Sequence, residues 1–199
     1  MSTLDFYNEN ASEYFNRTFE KGNTLVLDEF ISRIPSNGIV FDIGCGSGRD
    51  SIYMTNKGLN VIPIDNSRGL IEEAFKRTNL RVLEADIRTK DFGLNWVDGV
   101  WANASLVHLS EKEFLSVISR LYRSLKYGGL LYISLKKHNE EDKESIEIVD
   151  NEGRFFTKYD ENYIKRILKN LNIEIDEMFL SESTIGDDQT WINIFIKKN

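Results

Sequence analysis

A chain of 199 residues with 25 basic and 32 acidic side chains carries a formal charge of −7, which opposes non-specific attraction to a nucleic-acid backbone. The length suits one domain burying about 70% of its unfolded surface; no apolar run approaches the roughly 20 residues of a membrane span, and the start MSTLDFYNEN lacks a basic-then-apolar leader. A cytoplasmic protein without nucleic-acid or membrane partners is expected, and one cysteine with two histidines excludes an internal disulfide and argues against a structural metal site.

In chain order, the aromatic stretch 4–19 and the segment 24–34, with Leu25, Leu27, Phe30, Ile31 and Ile34 at helical spacing, predict helices ahead of a sheet. Strands are then expected at 39–43, 60–64, 80–85, 97–102 and 130–135, and helices at 49–57, 68–77 and 111–126. The last of these helices carries Phe114, Ile118, Leu121 and Leu125 on one stripe and stops at Gly128 and Gly129. The charge-rich run 138–153 reads as a mobile surface excursion. A helix at 159–171 and strands at 173–181 and 190–197 joined by a loop at 182–189 close the chain. This alternation argues for an α/β fold: a Rossmann-like, doubly wound, mostly parallel seven-stranded sheet with a C-terminal antiparallel hairpin and N-terminal lid helices.

The most informative stretch is IVFDIGCGSGRD, residues 39–50. A β-branched strand runs into glycines at 44, 46 and 48 and then into a helix, which lets the backbone approach a ligand closely and offers free N–H groups to an anion. The spacing is GxGxG rather than the dinucleotide GxGxxG, because Arg49 stands where the third glycine would be. Asp65 ends the second strand, where a carboxylate can accept both hydroxyl protons of a ribose; Asn66 and Ser67 follow it and also start the next helix. Asp86 and Ile87 end the third strand, placed to meet an adenine amino group and its apolar face. Cys45, between two loop glycines, reads as a small filler beneath the cofactor rather than a nucleophile. Arg49 either pairs with Asp50 or meets a cofactor carboxylate.

These motifs (DIGCGSGRD, VIPID, EADI and DGVWANAS) resemble those of the class I S-adenosylmethionine (SAM) methyltransferases over most of the chain. The resemblance implies that Asp42, Gly44, Gly46 and Gly48 hold the methionine part of SAM, with Asp42 orienting its amino group, while Asp65 holds the ribose and Asp86 faces adenine. It implies too that the fourth-strand edge, including Ala102 and Asn103, lies under the transferred methyl group, with His108 placed as a general base or as a packed pocket residue. The aromatic N-terminal run YNENASEYFNRT, the run ASLVHL, the strand ending SLK, the segment GRFFT and the final strand WINIF resemble a group of small bacterial members of that family. For this group the resemblance implies a lid over SAM from Tyr7, Tyr14 and Thr18, and an acceptor side formed by Lys136, Arg154, Phe155, Trp191 and Asn193. Tyr127 departs from the proline usual before the two glycines.

On this reading residues 1–34 are the lid, 39–135 the cofactor-binding core and 136–199 the acceptor side of one domain. The expected activity is transfer of a methyl group from SAM to a small-molecule acceptor by in-line displacement, with no metal. A SAM-binding regulator or accessory protein without turnover, and a protein or peptide methyltransferase, are the alternatives. Tyr53…Lys57 and Tyr122…Lys126 match the YxxxK pair of short-chain dehydrogenases without its cofactor motif, and the (D/N)PP(Y/F) turn of amino-methylating DNA enzymes is missing after the fourth strand. The sequence leaves monomer and homodimer open.

Overall fold

The computed structural model describes residues 1–21, 24–140, 143–183 and 188–199. Helix α1 (Thr3–Glu9) opens with a capping box: the Ser2 hydroxyl accepts the Asp5 N–H at 3.2 Å while the Asp5 carboxylate accepts the Ser2 N–H at 2.9 Å. One helix was expected across this aromatic stretch, yet the chain leaves it at Asn10, whose side-chain amide donates to the Phe6 carbonyl at 2.9 Å. A second helix, α2 (Ala11–Thr18), starts there.

The remaining elements are α3 (Thr24–Ser32), β1 (Ile39–Ile43), α4 (Arg49–Asn56), β2 (Asn60–Asp65), α5 (Arg68–Thr78), β3 (Leu83–Glu84), β4 (Val97–Ala102), α6 (Glu111–Ser124), β5 (Leu125–Lys137), β6 (Ser145–Val149), β7 (Phe155–Tyr159), α7 (Glu161–Asn170), β8 (Glu177–Glu182) and β9 (Thr190–Lys197). The strands form one sheet in the order β3-β2-β1-β4-β5-β7-β6, with β9 antiparallel to both β5 and β8. From β1 the chain winds outward through β2 and β3, then returns to β4 on the other side of β1. That reversal opens a crevice at the carboxyl ends of the parallel strands, where α/β sheets bind ligands.

Alternation along the central strands sorts two cores onto the two faces. Val40, Trp101, Tyr132 and Phe195 pack with Leu27 and Phe30 of α3 and Met54 of α4. Phe41, Val100, Ile133 and Ile194 pack on the other face with Phe114 and Leu121 of α6 and Ile164 and Leu168 of α7.

Among the described residues the sheet has nine strands rather than the seven expected. The run read as a mobile excursion contains β6, and the adjacent GRFFT segment forms β7, which pairs antiparallel with β6 and parallel with the end of β5. The signal was present in miniature: half-buried Ile146 and Ile148 alternate with exposed Glu147 and Val149, a period of two hidden in a charged context. Residues 141–142 of that run, and 184–187 of the loop expected between the last two strands, lie outside the described residues. Helix α6 stops at Ser124, and Gly128 and Gly129 fall inside β5, where pairing with β4 slips from Val97 opposite Leu125 to Gly99 opposite Leu130. Asp160 caps α7 by accepting the Asn162 and Tyr163 N–H groups at 2.8 and 3.0 Å, so Tyr159 stays in β7. Strand β3 shrinks to two residues, and β8 starts at Glu177. Among the described residues no helix is long and apolar enough to cross a membrane.

Candidate active site

The loop after β1 is shaped by two glycines that nothing larger could replace. Gly44 has φ +65°, and a Cβ there would lie 2.4 Å from the Ser105 Cβ; Gly48 has φ +76°, and a Cβ would lie 2.2 Å from a Leu80 methyl. So tightly folded, the loop turns its amides inward. The Gly44 and Cys45 N–H groups donate to the Ile64 carbonyl at 2.8 and 3.1 Å, and Gly46 donates to the Asp65 carboxylate at 2.8 Å. The other Asp65 oxygen accepts the Ser67 N–H at 2.8 Å. Each oxygen keeps a lone pair for a further donor, and burial holds the group above the usual carboxylate range despite these N–H bonds. Asp42, at the end of β1, accepts the Ser51 hydroxyl. Burial, reinforced by the nearby Asp50 charge, pushes it up to about 8.

Asp50 ties the first and fourth strand ends together. It accepts Arg49 Nε at 2.7 Å, Trp101 Nε1 at 2.9 Å and Asn103 Nδ2 at 3.2 Å. Ser134 donates to Asn103 Oδ1 at 2.9 Å and accepts the Ala104 N–H at 2.7 Å, fixing Ala104 at φ +55°, an uncommon conformation for a residue with a Cβ. Arg49 also donates to the carbonyls of Thr18 and Lys21, which binds α2 to the glycine loop. At the other end of the lid, Asn8 Oδ1 accepts the Ser67 hydroxyl and the Gly69 N–H, both at 3.0 Å, and Thr3 Oγ1 accepts the Phe155 N–H at 2.8 Å.

Two cavities share this wall. The larger, about 690 Å³, runs along the ends of β2 and β3 past Asp65, Asn66, Asp86 and Ile87. The smaller, about 360 Å³, lies over β5, β7 and β9, against Tyr132, Lys136, Phe156 and Trp191. They meet at Tyr7, Tyr14, Gly44, Gly46, Ala104 and His108. At this neck the His108 Nδ1 faces the Phe155 carbonyl at 2.8 Å and so carries the ring proton, while Nε2 accepts the Tyr7 hydroxyl at 2.9 Å. Burial lowers His108 to about 4 and raises Tyr7 well above its ordinary value, so both are neutral near pH 7.

Residues 40–129 match the family model of a methyltransferase domain. A carboxy-S-adenosyl-L-methionine synthase from Photorhabdus laumondii is 26% identical over 183 residues, which are 81% of this chain and 71% of that protein. Among solved structures, the 1,6-didemethyltoxoflavin-N1-methyltransferase of Burkholderia thailandensis, holding 1,6-didemethyltoxoflavin and S-adenosylhomocysteine, superposes with a TM-score of 0.76 at 16% identity, over 98% of this chain and 85% of that one. The magnesium protoporphyrin IX methyltransferase of Synechocystis PCC 6803 with bound S-adenosylhomocysteine reaches 0.72 at 15% identity, over 98% of each chain. The chain thus has the fold of these SAM-dependent methyltransferases, with a methyltransferase-domain match over its central residues.

The residues lining the two cavities fit SAM. The larger cavity joins a buried acid with spare lone pairs to the Ala85–Ile87 edge, as an adenosine needs, and the smaller is lined by both buried Asp42 and Arg17, opposite charges such as an amino-acid arm needs. Two buried polar atoms at these walls, Ser105 Oγ and Arg17 Nε, have no hydrogen-bond partner. Of the positions expected on the cofactor side, Tyr7, Tyr14, Thr18, Asp42, Gly44, Cys45, Gly46, Arg49, Asp65, Asn66, Asp86, Ile87 and Asn103 line one cavity or both. Gly48, Ser67 and Ala102 line neither: Gly48 caps α4, Ser67 caps α5 by accepting the Leu70 N–H, and Ala102 is buried in the apolar core. The Cys45 thiol is raised well above its ordinary value by burial, unlike an activated nucleophile. Asp86 accepts Arg88 Nε at 2.9 Å on both oxygens, and these bonds hold it below the usual carboxylate range.

Of the residues expected to face an acceptor, Lys136, Arg154, Trp191 and Asn193 line the smaller cavity, whereas Phe155 lines the larger one and its neighbour Phe156 lines the smaller in its place. The strand alternation of β7 decides which of the two adjacent rings points where. Asn193 is bonded to the Tyr132 hydroxyl at 2.7 Å and to Ser181 at 2.9 Å, which fixes it as a wall. Sequence reasoning missed Arg17, Tyr132 and Ser134. For Arg17 the signal existed: with Tyr14 and Thr18 it makes an i, i+3, i+4 face on one helix.

Proposed function

We propose that this chain transfers the methyl group of SAM to a small acceptor seated in the cavity over β5, β7 and β9. The observation that carries this is the neck, where Tyr7, Tyr14, Gly44, Gly46, Ala104 and His108 line both an adenosine-sized cavity and a smaller chamber beside it. SAM, when bound, supplies a methyl carbon already activated by its sulfonium. The protein's work is then placement: the Asp65 carboxylate and the Gly46 region hold the nucleoside end, Asp42 the amino group, and the strained Ala104 turn sets the floor beneath the reacting atoms. In the displacement the acceptor's lone pair forms a bond to the methyl carbon as the carbon–sulfur bond breaks, and the electron pair stays on sulfur. Tyr7 and His108 work as a pair in this reading. His108 has its lone pair occupied by the Tyr7 hydroxyl, so it positions Tyr7, and a proton leaving the acceptor would pass through that hydroxyl first. An acceptor that is ionised or carries a neutral lone pair suits a site whose imidazole titrates near 4.

A lid closed by Arg49, Asn8 and Thr3 favours a small acceptor over a protein, and the charge of −7 disfavours nucleic acid. A screen of small acceptors with methyl-labelled SAM tests the proposal. Labelled small product supports it, label on polypeptide favours a protein acceptor, and S-adenosylhomocysteine binding with no turnover of any acceptor favours a regulatory role. A second reading follows from the Photorhabdus relative, whose name makes SAM the receiver of a carboxyl group. The cations Arg17, Lys136 and Arg154 around the smaller cavity suit a carboxylated donor. Mass spectrometry of SAM incubated with the protein and carboxylic-acid donors separates the two: a SAM derivative carrying an added carboxyl group supports the second reading.

A further inference from the structure

Four cations line the smaller cavity, and three of them are already engaged. Arg49 is bound to Asp50 and to the Thr18 and Lys21 carbonyls. Arg154 pairs with Asp150 at 2.7 Å and Glu152 at 2.6 Å. The Lys136 ammonium rests 3.7 Å from the centroid of the Phe156 ring. Arg17 differs. Its guanidinium carbon lies 5.8 Å from the Tyr14 ring centroid, and its Nε is buried with no hydrogen-bond partner. A buried N–H of a permanent cation is costly to leave unmatched, and folded chains keep such a group where something else supplies the acceptor.

We propose that Arg17 is a carboxylate clamp, and that the carboxylate is that of the methionine arm of SAM; the inference rests on the cofactor assignment above. Arg49, the residue that the sequence offered for this carboxylate, has its guanidinium committed to protein oxygens. Arg17 sits in the last turn of α2, one turn beyond Tyr14, on the lid that Arg49 pins against the glycine loop. The same cavity wall carries the buried acid Asp42, so an ammonium and a carboxylate on one carbon would each meet the opposite charge. The lid thereby contributes part of the cofactor site itself, and the cofactor's amino-acid end ties α2 to the loop.

The test is calorimetric titration of the wild-type chain, Arg17→Met and Arg17→Lys with two probes: S-adenosylhomocysteine, and 5′-methylthioadenosine, which keeps the nucleoside and sulfur without the amino-acid arm. Arg17→Met should weaken S-adenosylhomocysteine about tenfold to a hundredfold, as expected for a lost charge-assisted pair, with 5′-methylthioadenosine unchanged and partial recovery in Arg17→Lys. Unchanged S-adenosylhomocysteine affinity overturns the proposal, and so does an equal loss for both probes, which would mark a damaged fold. Absence of S-adenosylhomocysteine binding by the wild-type chain would overturn the cofactor assignment and this inference together.

Discussion

Asp65 and Asp86 end neighbouring strands, yet their surroundings give them different roles. Asp65 is buried, meets only backbone N–H groups, and can take two more donors. Asp86 is a third exposed and already accepts a guanidinium from its own loop. Asp65→Ala should therefore weaken S-adenosylhomocysteine by about a hundredfold, two charge-assisted hydrogen bonds at about 1.5 kcal/mol each. Asp86→Ala should cost about threefold or less, because Arg88 is then released to solvent rather than a ligand bond being lost. Equal losses in calorimetry would show that the adenine edge, not the ribose, is held by charge. The same contrast governs His108. Because its ring is held neutral down to about pH 4, the pH–rate profile should be flat through 6.5, the ordinary value of an imidazole. A limb at 6.5 that vanishes in His108→Gln would put a titrating ring into the reaction.

Elements bring these residues together, and the lid is the one whose attachment is most local. Asn8 Oδ1 holds the Ser67 hydroxyl and the Gly69 N–H across to α5, so Asn8→Ala removes both bonds in one step. Tryptic cleavage after Lys21 should become about five- to thirtyfold faster, the effect of one to two kcal/mol on local opening, and S-adenosylhomocysteine should slow it again. Cleavage at the wild-type rate would mean that the bonds of Arg49 and Thr3 hold the lid without Asn8. What the sequence made legible at this scale followed from strong periods: the β1 loop, the acids closing β2 and β3, and the amphipathic α6 lie where their spacing placed them. The β6 and β7 strands were obscured because a five-residue strand with one half-buried face offers only Ile146 and Ile148 as its signal, against a flanking run of charges. The exchange of Phe155 for Phe156 was obscured for a different reason. Two adjacent aromatic residues on a strand point to opposite faces, and composition alone does not fix the phase. Arg17 was passed over because a cation near the end of a polar helix ordinarily reads as solvated; its shared face with Tyr14 and Thr18 was the one hint in the sequence, and the burial of its Nε bears the hint out.

Across the whole molecule, three acids converge on one crevice in a chain that is already negative. Asp42 and Asp65 are both raised by burial, Asp42 to about 8 from an ordinary 3.8. A carboxyl whose pKa is higher folded than unfolded lends stability at low pH that is lost as pH rises through the folded value. His108 acts in the opposite sense, since its lowered value of about 4 costs stability only as pH falls below 6.5. Between 4 and 6.5 the two effects oppose each other; above 6.5 Asp42, raised to about 8, still titrates while His108 no longer does. The melting temperature of the ligand-free protein should therefore fall from pH 6.5 to 8.5, with Asp42 contributing a slope of about 1.4 kcal/mol per pH unit that fades above its folded value. An ammonium beside Asp42 favours its ionised form, so stabilisation by S-adenosylhomocysteine should grow over the same interval. Asp42→Asn should flatten both trends, because it removes the carboxyl that titrates near 8 while Asp65 keeps its own shift. Scanning calorimetry at four or so pH values decides the matter: a melting temperature that climbs from 6.5 to 8.5, or an Asp42→Asn variant as steep as wild type, would remove Asp42 as the group that couples folding to the cofactor's amino end.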